Sequence, residues 1–226
     1  MKKNVFLLLL FFCATTFAQK KLENYEPDLK IEHNATIVMK DGATHNAEIK
    51  LPYTYQTKSI QMDQNVTLQA KDIAYIEYHH KNYPDKKYRL YYVPTNVMLG
   101  NNNWCLSCAE GKNVSILLRM ADCYGIDEKG DIFNVAEVKG SPIDYIFALF
   151  PNGETKYLGA LYYKKGERKG DWFSSIFVYE EKKLKFWKKY AAKAFKADPV
   201  LSKDIKEGRL SFKDSEEIVS RYTPIE

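Results

Sequence analysis

What the 226-residue chain lacks narrows its function before any motif is read. Cysteine occurs only four times, too few for a disulfide scaffold of this length. No apolar run after Phe12 approaches the roughly 20 residues that a membrane-spanning helix needs. Neither sign of charge dominates: 34 lysines and arginines stand against 29 aspartates and glutamates. That balance is too mild to argue for nucleic acid. There is no glycine-rich phosphate loop, no internal repeat and no low-complexity linker. A complete catalytic signature is missing too. Asp72, Asp122 and Asp144 are scattered, His33 and His45 stand in polar surroundings near turns, and no Ser-His-Asp spacing or carboxylate pair connects them. What is present is hydrophobic material, 45% of the residues, enough for one sizeable core or two small ones and too much for a disordered chain.

Residues 1–18 have the layout of a cleaved secretory signal. Lys2 and Lys3 form the positive start, Val5 to Phe12 the apolar stretch, and Thr16-Phe17-Ala18 the small-residue cleavage site, so the mature chain is expected to begin at Gln19. Cys13 offers a lipoprotein alternative, but bulky Phe12 occupies the place where a small residue is expected. The mature chain then has no transmembrane segment. The expected destination is the periplasm, the periphery of the outer membrane or the exterior.

The body, residues 19–170, reads as short strands punctuated by turns. Ala35 to Lys40 and Ala47 to Leu51 flank Asp41-Gly42, a dipeptide suited to a tight hairpin. Ser59 to Met62 and Val66 to Ala70 alternate apolar and polar residues, and Ile73 to Tyr78, Tyr88 to Val93, Val114 to Met120 and Ile132 to Val138 continue in strand style. Ile143 to Phe150 and Lys156 to Tyr163 are joined through Asn152-Gly153. Strands at this spacing without intervening helices predict a mainly β fold: an antiparallel sheet, a sandwich or an open barrel.

After Gly170 the apolar period changes, and residues 171–226 are expected to form a small C-terminal helical subdomain. Leu184, Trp187, Ala191, Ala194 and Phe195 share one helical face, opposite Lys185, Lys189, Lys193 and Lys196. Asp198-Pro199 reads as an N-cap followed by proline in the first turn, with Gly208 as terminator. Ser211 and Asp214 have capping-box spacing ahead of a last helix that reaches Tyr222.

These segments resemble a family. Thr36-Ile37-Val38-Met39-Lys40-Asp41-Gly42 followed by Ala47-Glu48-Ile49, then Ala70-Lys71-Asp72-Ile73 ahead of an aromatic strand, carry the likeness at one end. Phe195-Lys196-Ala197-Asp198-Pro199 with Leu201 and Ile205, and Ile218-Val219 before Tyr222, carry it at the other. The chain is similar to secreted and periplasmic proteins of the Bacteroidetes that have a β-rich body, C-terminal helices and no assigned activity. The resemblance implies architecture and an exported location, and it brings no catalytic residues.

Three cysteines hold the candidate chemistry. Trp104-Cys105-Leu106-Ser107-Cys108 has the Trp-Cys-x-x-Cys form of thioredoxin-like oxidoreductases, where a helix N-terminus activates the first sulfur. Gly111 and Asn113 fall where that helix would run, which argues against it. The plainer alternative is that two of Cys105, Cys108 and Cys123 form a disulfide in an oxidising compartment. A zinc site would need a fourth ligand, and only one of His79 and His80 could face the cysteines from a strand. No metal and no cofactor is therefore expected.

Of the seventeen tyrosines, a dense group lies in the first half of the chain. Tyr75, Tyr78, Tyr88 and Tyr91 are candidates for an aromatic binding surface for glycan or peptide, among neighbours that include Tyr53, Tyr55, Tyr83 and Tyr92. Packing is the competing explanation, because tyrosine suits a half-exposed strand. The lysine-rich helix face likewise fits either solvent or an anionic membrane surface. The expectation is an exported, non-enzymatic envelope-associated or binding protein for an envelope partner or small ligand. A thiol-disulfide protein using residues 104–108 is the alternative.

Overall fold

The computed structural model describes residues 32–52, 57–62, 66–80, 83–95, 102–119, 123–126, 132–136, 143–169 and 176–225. The leader expected over residues 1–18, and also Tyr53, Tyr55 and Asp122, lie outside the described residues.

The Asp41-Gly42 turn forms as its chemistry requires. Gly42 takes φ 90°, Asp41 Oδ1 accepts from the Ala43 amide at 2.9 Å, and β1 (Glu32–Met39) pairs antiparallel with β2 (Thr44–Lys50). A separate hairpin joins β3 (Ser59–Gln61) and β4 (Thr67–Gln69). The chain continues through β5 (Ile73–His80), β6 (Tyr83–Pro94), β7 (Asn102–Glu110), β8 (Ser115–Arg119), β9 (Cys123–Ile126), β10 (Ile132–Ala136), β11 (Ile143–Leu149), β12 (Thr155–Lys169) and β13 (Ile176–Lys185). Among the described residues eleven of these strands form one antiparallel sheet, in the order β2-β1-β5-β6-β7-β8-β11-β12-β13-β10-β9. The fold is mainly β with a small helical end.

Strand alternation gives the sheet two unlike faces. One carries Ile37, Ile76, Tyr78, Leu90, Leu106, Ile116 and Ile146, all of them in the main core. Trp104 on this face donates its indole N–H to the Thr57 carbonyl at 2.9 Å, and Ile60 of β3 packs into the same core. The helices cover the rest: α1 (Trp187–Ala194), α2 (Pro199–Glu207) and α3 (Ser215–Arg221). α1 lies against β12, and α3 against β7 and β8. The expected caps are present. Asp198 accepts from the Leu201 amide at 3.0 Å, Gly208 closes α2 at φ 84°, and Ser211 and Asp214 make a reciprocal capping box.

The helical end begins later than expected. Residues 176–185 are β13, so Leu184 lies in a strand rather than on the helical stripe. The Ile176-Phe177-Val178-Tyr179 run is made of β-branched and aromatic residues, and pairing with β12 supplies the ladder that an isolated short helix lacks. Trp187, Ala191, Ala194 and Phe195 are buried as the stripe predicts, while Lys189, Lys193 and Lys196 are exposed.

The opposite face of the sheet holds a second, smaller buried patch, formed by Val93, Cys105, Leu117 and Phe147. The side chain of Thr155, on this face beside Leu149, donates to the carbonyl of Pro94. β7, β8 and β11 stand between those two strands in the sheet. At the usual spacing of about 4.8 Å per strand, a flat sheet would hold β6 and β12 roughly 19 Å apart. The sheet is therefore curled, with this face on the inside.

Candidate functional site

The inward face is built from alternate residues of β5, β6, β7, β8 and β11. Tyr91 pairs across the ladder with Cys105, and Arg119 with Tyr145, while the rings of Tyr75 and Tyr91 lie 5.8 Å apart. The four tyrosines picked out by sequence divide between the two faces. Tyr78 and Tyr88 stack at 5.4 Å inside the main core, where they are 0% and 8% exposed. Tyr75 and Tyr91 remain half-buried on the inward face. The two-residue period decides this: Tyr75 is odd in β5 and Tyr78 even, so they cannot share a surface.

An ionic network fixes the two inward tyrosines. Arg89 lies over the Tyr75 ring at 4.8 Å, donates to Glu77 at 3.0 Å and pairs with Glu110. The Tyr91 hydroxyl donates to the other oxygen of Glu110 at 3.0 Å, and Lys87 reaches Glu77 at 3.2 Å. Burial acts on Glu77 in the opposite direction, yet the bonds from Arg89 and Lys87 hold its carboxyl below the ordinary range. Burial and the Glu110 charge together push the Tyr91 phenol well up. Tyr91 thus stays a neutral donor, and its ring is held in one orientation.

Beside this network the curl leaves a cleft of about 390 Å³. Tyr75, Tyr91 and Val93 wall it on one side, Leu149 and Phe150 on the other. Three turns close its end: Lys40 follows β1, Lys112 sits between β7 and β8, and Pro151 to Gly153 join β11 to β12. The last turn is set by Gly153 at φ 81° and by Asn152 Oδ1, which accepts from the Glu154 amide at 3.0 Å. Gly111 is needed for close packing, since a Cβ there would lie 2.5 Å from the Val219 carbonyl oxygen of α3. The cleft is a pocket with apolar walls and a few polar groups, the general form of a small-molecule site.

The cysteine segment is β7 rather than a helix start, so no helix dipole lies on Cys105. Cys105 is a free thiol, 1% exposed, inside the patch on the inward face. Burial pushes its pKa up strongly, with Arg119 pulling the other way. Cys108 lies where β7 slips register and packs against the main core, on the opposite side of the sheet. The Cys-x-x-Cys spacing therefore places its sulfurs on two faces. Cys123 begins β9, and its side chain lies outside the described residues. His79 Nδ1 is 2.6 Å from the Pro84 carbonyl oxygen, Asp144 is buried, and His33 packs edge-on to Tyr78 at 5.4 Å. Among the described residues no three His, Cys, Asp or Glu side chains are grouped to hold a metal ion.

A second run of aromatics leads off the inward face at its β12 side. Tyr145, Tyr157, Tyr190 and Phe186 follow one another at 6.3, 5.2 and 6.2 Å. Burial and the neighbouring phenols of Tyr162, Tyr145 and Tyr190 push Tyr157 up to about 12. Lys40, Lys112 and Leu149 were not identifiable as site residues from sequence, because only the curl brings their three segments together.

No family model matches the chain, and neither curated proteins nor solved structures give a match. Among the described residues no helix is long and apolar enough to cross a membrane.

Proposed function

We propose that the protein is an exported, non-enzymatic binding module of the bacterial envelope, and that its small ligand sits in the cleft between β5, β6 and the β11–β12 turn. The observation that carries this reading is the cleft itself: about 390 Å³, with walls of Tyr75, Tyr91, Val93, Leu149 and Phe150. Half-buried tyrosines clamped by Arg89 and Glu110 supply rigid stacking surfaces whose ordering cost is met before the ligand arrives. Cys105, beside Tyr91 across the β6–β7 ladder, packs in the buried patch and supplies no thiolate, because burial keeps it protonated.

Two experiments test the two halves of the proposal. The full chain, produced in a Gram-negative host, is expected in the periplasmic extract with Gln19 or its cyclised form as first residue; an intact Met1 form in the cytoplasm overturns export. For the cleft, an amphipathic dye titrated against the wild type and against Tyr75→Ala is expected to lose at least tenfold in affinity in the variant. Equal affinity overturns the site.

A further inference from the structure

The charge pattern around the cleft assigns the class of its ligand. Among the described residues that line it, only Lys40 and Lys112 are charged. They approach from different turns, Lys40 just after β1 and Lys112 between β7 and β8, and both side chains are exposed at the mouth. Neither makes an ion pair among the described residues, although Asp41 and Asp72 stand beside Lys40; Asp41 Oδ1 is taken by the Ala43 amide. Glu110 is held by Arg89 and Tyr91, and Glu154 faces Lys156 at 3.5 Å. Two lysines without acidic partners at the mouth of an apolar slot form an anion-accepting rim above a surface suited to rings.

The position of each lysine is set by backbone contacts. The Lys40 amide donates to the Asp72 carbonyl at 2.9 Å, which ties the β1–β2 turn to the start of β5. Gly111, next to Lys112, donates to the Val114 carbonyl at 2.9 Å and packs against Val219 with no room for a side chain. The rim is therefore anchored at both lysines.

From this we infer that the cleft takes a small organic anion with a flat or alicyclic ring body, its charged group between Lys40 and Lys112 and its ring against Tyr75 and Tyr91. The inference rests on the cleft being the ligand site, and the experiment separates the two. The probes are 1-anilinonaphthalene-8-sulfonate and N-phenyl-1-naphthylamine, which share their rings and differ by the sulfonate. Both are titrated by fluorescence into the mature protein and into Lys40→Gln/Lys112→Gln, Tyr75→Ala and Ser115→Trp, the last of which fills the cleft from the β8 side. The double lysine variant is expected to lose about tenfold or more in affinity for the sulfonate and none for the neutral dye, and the wild-type preference to shrink with added salt. Tyr75→Ala and Ser115→Trp are expected to weaken both dyes. Loss of both dyes in those two variants with unchanged sulfonate affinity in the lysine variant overturns the anion assignment alone. Indifference of both dyes to Tyr75→Ala and Ser115→Trp, or no binding to the wild type, overturns the cleft as the site.

Discussion

Cys105 shows how one position in a strand decides what a residue can do. Its neighbours on the inward face are Leu117 and Phe147, so burial holds the thiol protonated. An unfolded thiol titrates near about 8.5. The folded value is higher, so above that pH the native state keeps a proton that the unfolded chain has lost, and stability falls as pH rises. Urea midpoints of the wild type are expected to decline from about pH 8.5 upward, and those of Cys105→Ala to stay level until the tyrosines titrate near about pH 10. Parallel declines would contradict the assignment. Glu77 has the opposite sign. Arg89 and Lys87 lower its folded pKa, so its contribution is present above the unfolded value of about 4.3 and is lost as pH falls through the folded one. Glu77→Gln should flatten the acid limb of the same profile. Sequence singled out Cys105 and gave Glu77 no role: Trp-Cys-x-x-Cys looked like chemistry because its spacing is local, while the burial that silences it comes from strands β8 and β11.

At the scale of elements, local signals were legible wherever the chain itself supplies the partner. Asp41-Gly42, Asn152-Gly153, the Asp198 cap and the Ser211 capping box all appear as read, because each satisfies backbone groups within a few residues. β7 and β13 were missed for the converse reason. Asn102-Asn103 and the Lys-rich end of β13 are poor strand formers, and it is pairing with the preceding strands β6 and β12 that makes them extended. The tail illustrates the energetic side. Trp187 is 3% exposed, donates its N–H to the Leu210 carbonyl at 3.2 Å and meets Phe212 edge-on. Trp187→Ala is expected to cost roughly 3 to 5 kcal/mol in denaturant unfolding, without changing binding to anionic vesicles. Unchanged stability with lost vesicle binding would mean that this face meets lipid instead. Gly111→Ala puts a Cβ against the Val219 carbonyl, so α3 must shift, at an expected cost of about 1 to 3 kcal/mol. A variant as stable as the wild type would show that the β7–β8 turn can yield without α3.

For the whole molecule, the decisive feature is the curl that brings Pro94 to Thr155 across three intervening strands. It turns one face of an antiparallel sheet into a pocket wall and collects Lys40, Tyr75, Tyr91, Lys112 and Leu149 from five separate segments. Fold class was readable from strand spacing, whereas the site was not, since no periodicity encodes which strand ends meet when a sheet bends. Of four candidate tyrosines, the two on the inward face belong to the cleft and the two on the other face to the core, a division that follows from strand parity once the strand bounds are known. The most direct test of the cleft is an amide chemical-shift map of the mature protein saturated with 1-anilinonaphthalene-8-sulfonate. The predicted result is perturbation centred on Lys40, Tyr75, Tyr91, Lys112 and Gly153 with residues 199–207 of α2 undisturbed; shifts centred on the helices, or none around the cleft at saturation, would contradict the account.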